Sequence, residues 1–182
     1  MNRLIRFLSV CLLLSFVFPV QAKVEGVTNE PNQVYLFSYS NRDGRSGLKF
    51  AWSPDGEKWF SVADGFAYVN SDFGPWGRAK TMFKPHLMQT DGKWHCIWEA
   101  TNTGKALAYV TSPDLQKWEA QSYFSPEERS KYEPKDVYPT TQKKVLVNGS
   151  EEEGWVQEVP YTTVQQIIRY AEHKKYRQSL NA

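Results

Sequence analysis

One block of seven residues occurs twice in this chain, and it limits the available folds more than any other feature. Ser53-Pro54-Asp55-Gly56-Glu57-Lys58-Trp59 returns as Ser112-Pro113-Asp114-Leu115-Gln116-Lys117-Trp118, 59 residues later. The match runs backwards without a gap, setting Tyr35 on Trp94, Phe37 on Cys96, Tyr39 on Trp98, Leu48 on Leu107 and Phe50 on Tyr109. Identities concentrate in the turn block, where backbone geometry is most demanding. A fixed period of this kind is the signature of a tandemly copied structural unit.

Each copy of the block follows a strand-like run and precedes a Trp. Proline at the second turn position pre-sets φ for a type I turn. The Ser and Asp side chains can accept hydrogen bonds from nearby backbone N–H groups and tie the turn to itself. Gly56 suits the left-handed position that follows in a bulged hairpin. Leu115 stands there in the second copy, so a left-handed backbone is not expected at that position. Asp55 and Asp114 therefore read as turn residues, not as catalytic acids. The Trp re-enters a sheet, where its ring buries about 150–250 Å².

Residues 1–22 read as a secretory signal peptide: Arg3 and Arg6, an apolar run from Phe7 to Phe18, and a small-residue site at Val20-Gln21-Ala22. Its removal takes away two arginines and no acid, leaving 20 basic and 20 acidic residues. A neutral balance argues against a nucleic-acid partner, which needs a clustered basic face. Cys96 alone remains in the mature chain, so no internal disulfide is expected. The expected destination is periplasmic or extracellular, with no membrane association after cleavage.

Strand patterning divides the rest. Val34 to Ser40, Gly47 to Trp52 and Lys58 to Val62 form one unit. Thr81 to Gln89, Trp94 to Ala100, Ala106 to Thr111 and Trp118 to Tyr123 form the second, with Thr90-Asp91-Gly92-Lys93 as a tight hairpin. Pro85 fits only an edge strand or the start of a strand. Four antiparallel strands per repeat is the pattern of a propeller blade. Phe124 to Thr141 reads as a linker or surface loop, and Asn148-Gly149-Ser150 fits a glycosylation acceptor. After candidate strands at Lys143 to Val147 and Trp155 to Val159, Val164, Ile167, Ile168 and Ala171 make the stripe of an amphipathic helix. The organisation is a signal peptide (1–22), blade-like sheets (23–142), then short strands and a helix (143–182). The fold class is all-β with a C-terminal helix, a partial β-propeller of about two four-stranded blades.

The second unit, from the Pro-containing strand through Asp91-Gly-Lys-Trp-His-Cys-Ile-Trp98 to Ser112-Pro-Asp-x-x-x-Trp118, resembles the five-bladed β-propeller glycoside hydrolases. The nearest group is the family 43 arabinosidases and xylosidases. Trp76-Gly-Arg-Ala-Lys-Thr-Met-Phe-Lys-Pro-His86 resembles them too. The resemblance covers about two blades, Val34 to Tyr123. It implies a secreted protein that acts on or binds plant-type polysaccharide, with two carboxyls facing across a scissile bond in an active member. The family's Asp-Pro position in the second blade falls on Lys84-Pro85, where an ammonium replaces the carboxylate. Glu99 is the candidate catalytic carboxylate, although it does not occupy a catalytic position of the family. Trp76, Arg78, His86 and Trp98 are the candidate sugar-binding residues.

The alternative is a non-catalytic carbohydrate-binding or interaction domain of a larger glycosidase. Two blades leave sheet edges bare. Self-association or a continuation into a further C-terminal domain are therefore expected as well. No cofactor is expected, and no metal, because His86, His95 and His173 have no ligand spacing.

Overall fold

The computed structural model describes residues 31–74, 79–103, 106–124 and 140–181. The proposed signal peptide lies outside them, as do Trp76, Arg78 and most of the expected linker.

Strand β1 (Gln33–Tyr39) is apolar on both faces, because it lies between two cores. It pairs antiparallel with β2 (Lys49–Ser53), which pairs with the short β3 (Phe60–Ser61) before a single 3-10 turn (Val62–Asp64). Strands β4 (Phe83–Thr90), β5 (Lys93–Glu99), β6 (Leu107–Ser112) and β7 (Ser122–Phe124) form a second sheet in that order. The chain then returns to the first sheet through the hairpin of β8 (Thr141–Val147) and β9 (Ser150–Pro160). The first sheet has the order β3-β2-β1-β9-β8. Both tight hairpins place a residue and its following glycine in the left-handed region, Asp91-Gly92 and Asn148-Gly149. The all-β architecture with one C-terminal helix holds.

The copied turns share the backbone bonds to their Asp side chains. Ser53 Oγ accepts from the N–H of Gly56 at 2.8 Å, and Asp55 Oδ1 from those of Glu57 and Lys58 at 2.8 and 3.1 Å. In the second copy Asp114 Oδ1 accepts from Gln116 and Lys117 at 2.9 and 2.8 Å. One expectation is overturned. Leu115 has φ +61, beside +80 for Gly56. Its side chain is fully buried in the main core, and that burial holds a backbone a leucine otherwise avoids.

The pairing registers extend the equivalence beyond the sequence match. On β1, Ser38 faces Trp155 and Phe37 faces Val156 of β9. On β5, the equivalent Ile97 faces His86 and Cys96 faces Leu87 of β4. Strand β9 therefore completes the first sheet as β4 completes the second, although it comes from the far end of the described chain. The boundary drawn after residue 142 falls inside β8.

The two sheets meet front to back. Val34 and Leu36 point from β1 into the main core, where Trp94, Cys96 and Trp98 of β5 meet them from the opposite face of the repeat. The face of β1 equivalent to that β5 face carries Phe37 and Tyr39 into a second core with Ala51, Trp59, Val145, Val147 and Val156. Trp59 also bridges to Val147 of β8, so the first sheet curls until its two margins touch. Five curled strands thus replace the four-stranded blade expected there. For the same reason Trp59 lies in the second core, while Trp118 packs on the main one.

Helix α1 (Tyr161–Ser179) covers the main core with Val164, Ile167 and Ala171, and Ile168 is half-buried beside them. The Tyr68 hydroxyl donates to the Ile167 carbonyl at 2.8 Å. Leu36, Phe37, Phe50, Leu87 and Trp98 are each at most 1% exposed, worth about 1.5–3 kcal/mol apiece.

Candidate functional site

Chain geometry splits the expected site residues. Glu99 ends β5, with Phe83 of β4 and Leu107 of β6 as register partners. Its carboxylate accepts from Lys84 Nζ at 3.1 Å and is 19% exposed. Trp98, one residue earlier, must point to the other face of the strand. It is 1% exposed, and its Nε1–H donates to Ser71 Oγ at 3.0 Å. Trp98 is thus a core residue with no ring face open to a sugar. Its alternation within a strand made it a core candidate as much as a binding one. His86 shares a face with Ile97 and Glu99. Its ring stacks on Trp155 with centroids 3.8 Å apart and planes 18° apart, and Nε2 hydrogen-bonds Thr140 Oγ1 at 2.8 Å. It joins the two sheets. Trp76 and Arg78 lie outside the described residues.

Lys84, the partner of Glu99, stands on a strained segment. Register slips between Phe83 and His86, a bulge made by Lys84-Pro85. Lys84 has φ +50 although proline follows it, a combination disfavoured for both reasons. Such strain costs about 1–3 kcal/mol and persists where surrounding structure imposes it. As expected, Pro85 sits in an edge strand, where it breaks no ladder.

The bulge forms one wall of a cleft of about 140 Å³. Phe83 and Lys84 supply that wall, and Ser40, Asn41 and Arg42 from the loop after β1 supply the next. Asn102 of the β5–β6 turn and Glu153 of β9 complete it. A shallower depression continues past Asn41 and Arg42 to Ser150, Glu151 and Glu152.

Among the described residues, both cations that line the cleft have a partner. Arg42 pairs with Glu151 at 3.0 Å and Lys84 with Glu99 at 3.1 Å. Lys49 Nζ donates to Asn41 Oδ1 at 3.1 Å, and Gln142 Nε2 to Glu153 Oε1 at 2.7 Å. Burial raises the Glu152 carboxyl, opposed by the Lys49 and Arg42 charges. The site therefore offers amides, hydroxyls, two ion pairs and the Glu153 carboxylate around one aromatic ring, and its hydrogen-bonding groups suit a hydroxyl-rich ligand. Among the described residues the one carboxylate on the cleft wall is Glu153, and Glu99 is engaged by an ammonium. Among the described residues no cluster of His, Cys, Asp and Glu could hold a metal ion.

Most of these residues are absent from the sequence-level site. Asn41, Arg42 and Glu153 belong to no chemical motif in the sequence. The Asn148-Gly149 pair was the available signal, since Asn-Gly between two strand candidates marks a hairpin, and this hairpin carries Glu153 to the cleft.

Fold and cleft together define a two-sheet antiparallel β protein with a C-terminal helix and a polar surface cleft. No family model matches this chain, and no curated protein or solved structure matches it either. Among the described residues no helix is long and apolar enough to cross a membrane.

Proposed function

We propose that this is a secreted carbohydrate-binding protein of the propeller glycoside-hydrolase type that binds neutral plant-type polysaccharide without cleaving it. The observation that carries the proposal is the Lys84–Glu99 ion pair at the cleft. Glycoside hydrolysis needs one carboxyl to protonate the leaving oxygen and a second facing it. Here the candidate acid is engaged by an ammonium on a backbone distorted to place it. The front-to-back relation of the two sheets is the one successive propeller blades have, which supports kinship in the fold. The cleft's amides and hydroxyls suit sugar hydroxyls, and both of its lining cations are already paired, which leaves no free positive charge to favour an anionic ligand.

Calorimetric titration of the purified protein with arabino- and xylo-oligosaccharides tests binding. Assay of aryl arabinosides and xylosides tests cleavage. Saccharide binding that weakens in an Asn41→Ala/Asn102→Ala variant, with turnover no greater than that of Glu99→Gln, supports the proposal. Turnover well above that control refutes the non-catalytic half, and absence of any saccharide ligand refutes the whole.

A further inference from the structure

Three aromatic rings from three separate elements meet at the rim of the main core, away from the cleft. Trp52 of β2 lies beside Phe60 of β3, with centroids 5.5 Å apart and planes at 36°. On its other side is Tyr161, the first residue of α1, at 5.3 Å and 40°. Trp52 and Phe60 are register partners, so both rings stand on one face of the sheet. Phe60 is 48% exposed, and Trp52 and Tyr161 are half-buried.

The row is rigid. Trp52 and Tyr161 both pack against the main core. The Tyr161 N–H donates to the Asn32 carbonyl at 3.2 Å, fixing the start of the helix. A ligand laid across these rings therefore meets side chains already ordered, and ordering is a large part of what binding costs. The three rings carry no charge themselves, and neither do their immediate chain neighbours Ala51, Ser53, Trp59, Ser61, Pro160 and Thr162. A neutral partner with a flat apolar face fits this row better than an ionic one. A pyranose ring has such a face, with C–H groups over the plane and hydroxyls around its rim. None of the three rings lines the cleft.

We propose that Phe60, Trp52 and Tyr161 form a second saccharide-binding surface, an aromatic platform on which consecutive residues of a neutral polysaccharide chain stack. The proposal rests on the carbohydrate reading of the cleft, yet it fails separately. The test is calorimetric titration of the full chain with xylo- and arabino-oligosaccharides of two sizes, a disaccharide and a hexasaccharide. The variants are Phe60→Ala, Tyr161→Ala and the cleft pair Asn41→Ala/Asn102→Ala.

Loss of a stacking ring from a preformed surface weakens binding by about five- to tenfold. That loss is expected for the hexasaccharide in both platform variants, while a disaccharide bound in the cleft is unaffected. Phe60 is half outside the core, so Phe60→Ala is expected to melt close to wild type, which separates lost stacking from lost folding. Hexasaccharide binding that disappears in the cleft variant but stays within twofold in both platform variants overturns the platform and leaves the cleft standing. No binding to any saccharide by wild type sinks both. A Phe60→Ala variant that changes sedimentation without changing sugar affinity marks the row as a self-association surface and also overturns the proposal.

Discussion

Replacing Leu115 by glycine sets two opposed effects against each other at one residue. Leu115 has φ +61, where a leucine is strained by roughly 1–2 kcal/mol and a glycine is not. The same side chain is completely buried against the main core. Truncating a buried leucine to alanine costs about 3–5 kcal/mol in transfer and cavity terms, and the step to glycine removes a further methyl. Relief of strain returns only part of this, so Leu115→Gly is expected to lose about 2–4 kcal/mol. For a chain of this size that lowers the melting temperature by roughly 4–16 °C. Urea unfolding followed by tryptophan fluorescence measures it, with an unchanged denaturant slope confirming that the native state is comparable. The converse change at the equivalent position, Gly56→Ala, places a Cβ 3.5 Å from the Tyr35 ring, an ordinary contact. Only left-handed strain of about 1–2 kcal/mol is expected there. A Leu115→Gly protein as stable as wild type would refute the claim that burial holds this turn in its conformation.

Three further outcomes follow from the geometry. Gly154→Ala puts a Cβ 2.2 Å from the Ser38 carbonyl and 2.8 Å from the Phe37 ring, between β9 and β1. It is expected to cost more than 3 kcal/mol or to abolish folding, visible as loss of the cooperative melt. Lys84→Gly removes backbone strain and only a surface ion pair worth about 0–1 kcal/mol, so thermal stability is expected to hold or rise while saccharide affinity falls. A stability loss comparable to that of a core truncation would contradict strain at the bulge. Burial holds the His95 imidazole below its ordinary value, partly opposed by the Thr90 backbone and the Asp91 and Glu119 charges. Its folded pKa is thus depressed, so the unfolded chain binds the proton first. Stability is then full above about pH 6.5 and falls as pH drops through the folded value. Melting temperatures between pH 7 and 5 are expected to decline for wild type and to flatten in His95→Gln, and equal slopes would remove the assignment.

Local chemistry was legible from the residues themselves. The Ser-Pro-Asp turns, the Asp91-Gly92 hairpin, the edge position of Pro85 and the helix stripe at Val164, Ile167 and Ala171 depend on interactions spanning only a few residues. Turn geometry and side-chain period are properties of a short segment, so they survive the absence of tertiary information. The repeat also told which strands are equivalent, and the registers of β1 and β5 agree with it.

Packing decided the remainder. Repeat equivalence does not say which face of a copied strand meets the shared core, and front-to-back stacking puts Phe37 and Cys96, equivalent in sequence, into different cores. The same uncertainty hid the burial of Trp98, because alternation assigns Trp98 and Glu99 to opposite faces without saying which is wet. The positive φ of Leu115 follows from a core contact that no turn rule contains. The cleft draws on the loop after β1, a bulge in β4, the turn after β5 and the β8–β9 hairpin. Such a site exists only once β9 has paired with β1, a contact spanning more than a hundred residues that no local preference encodes.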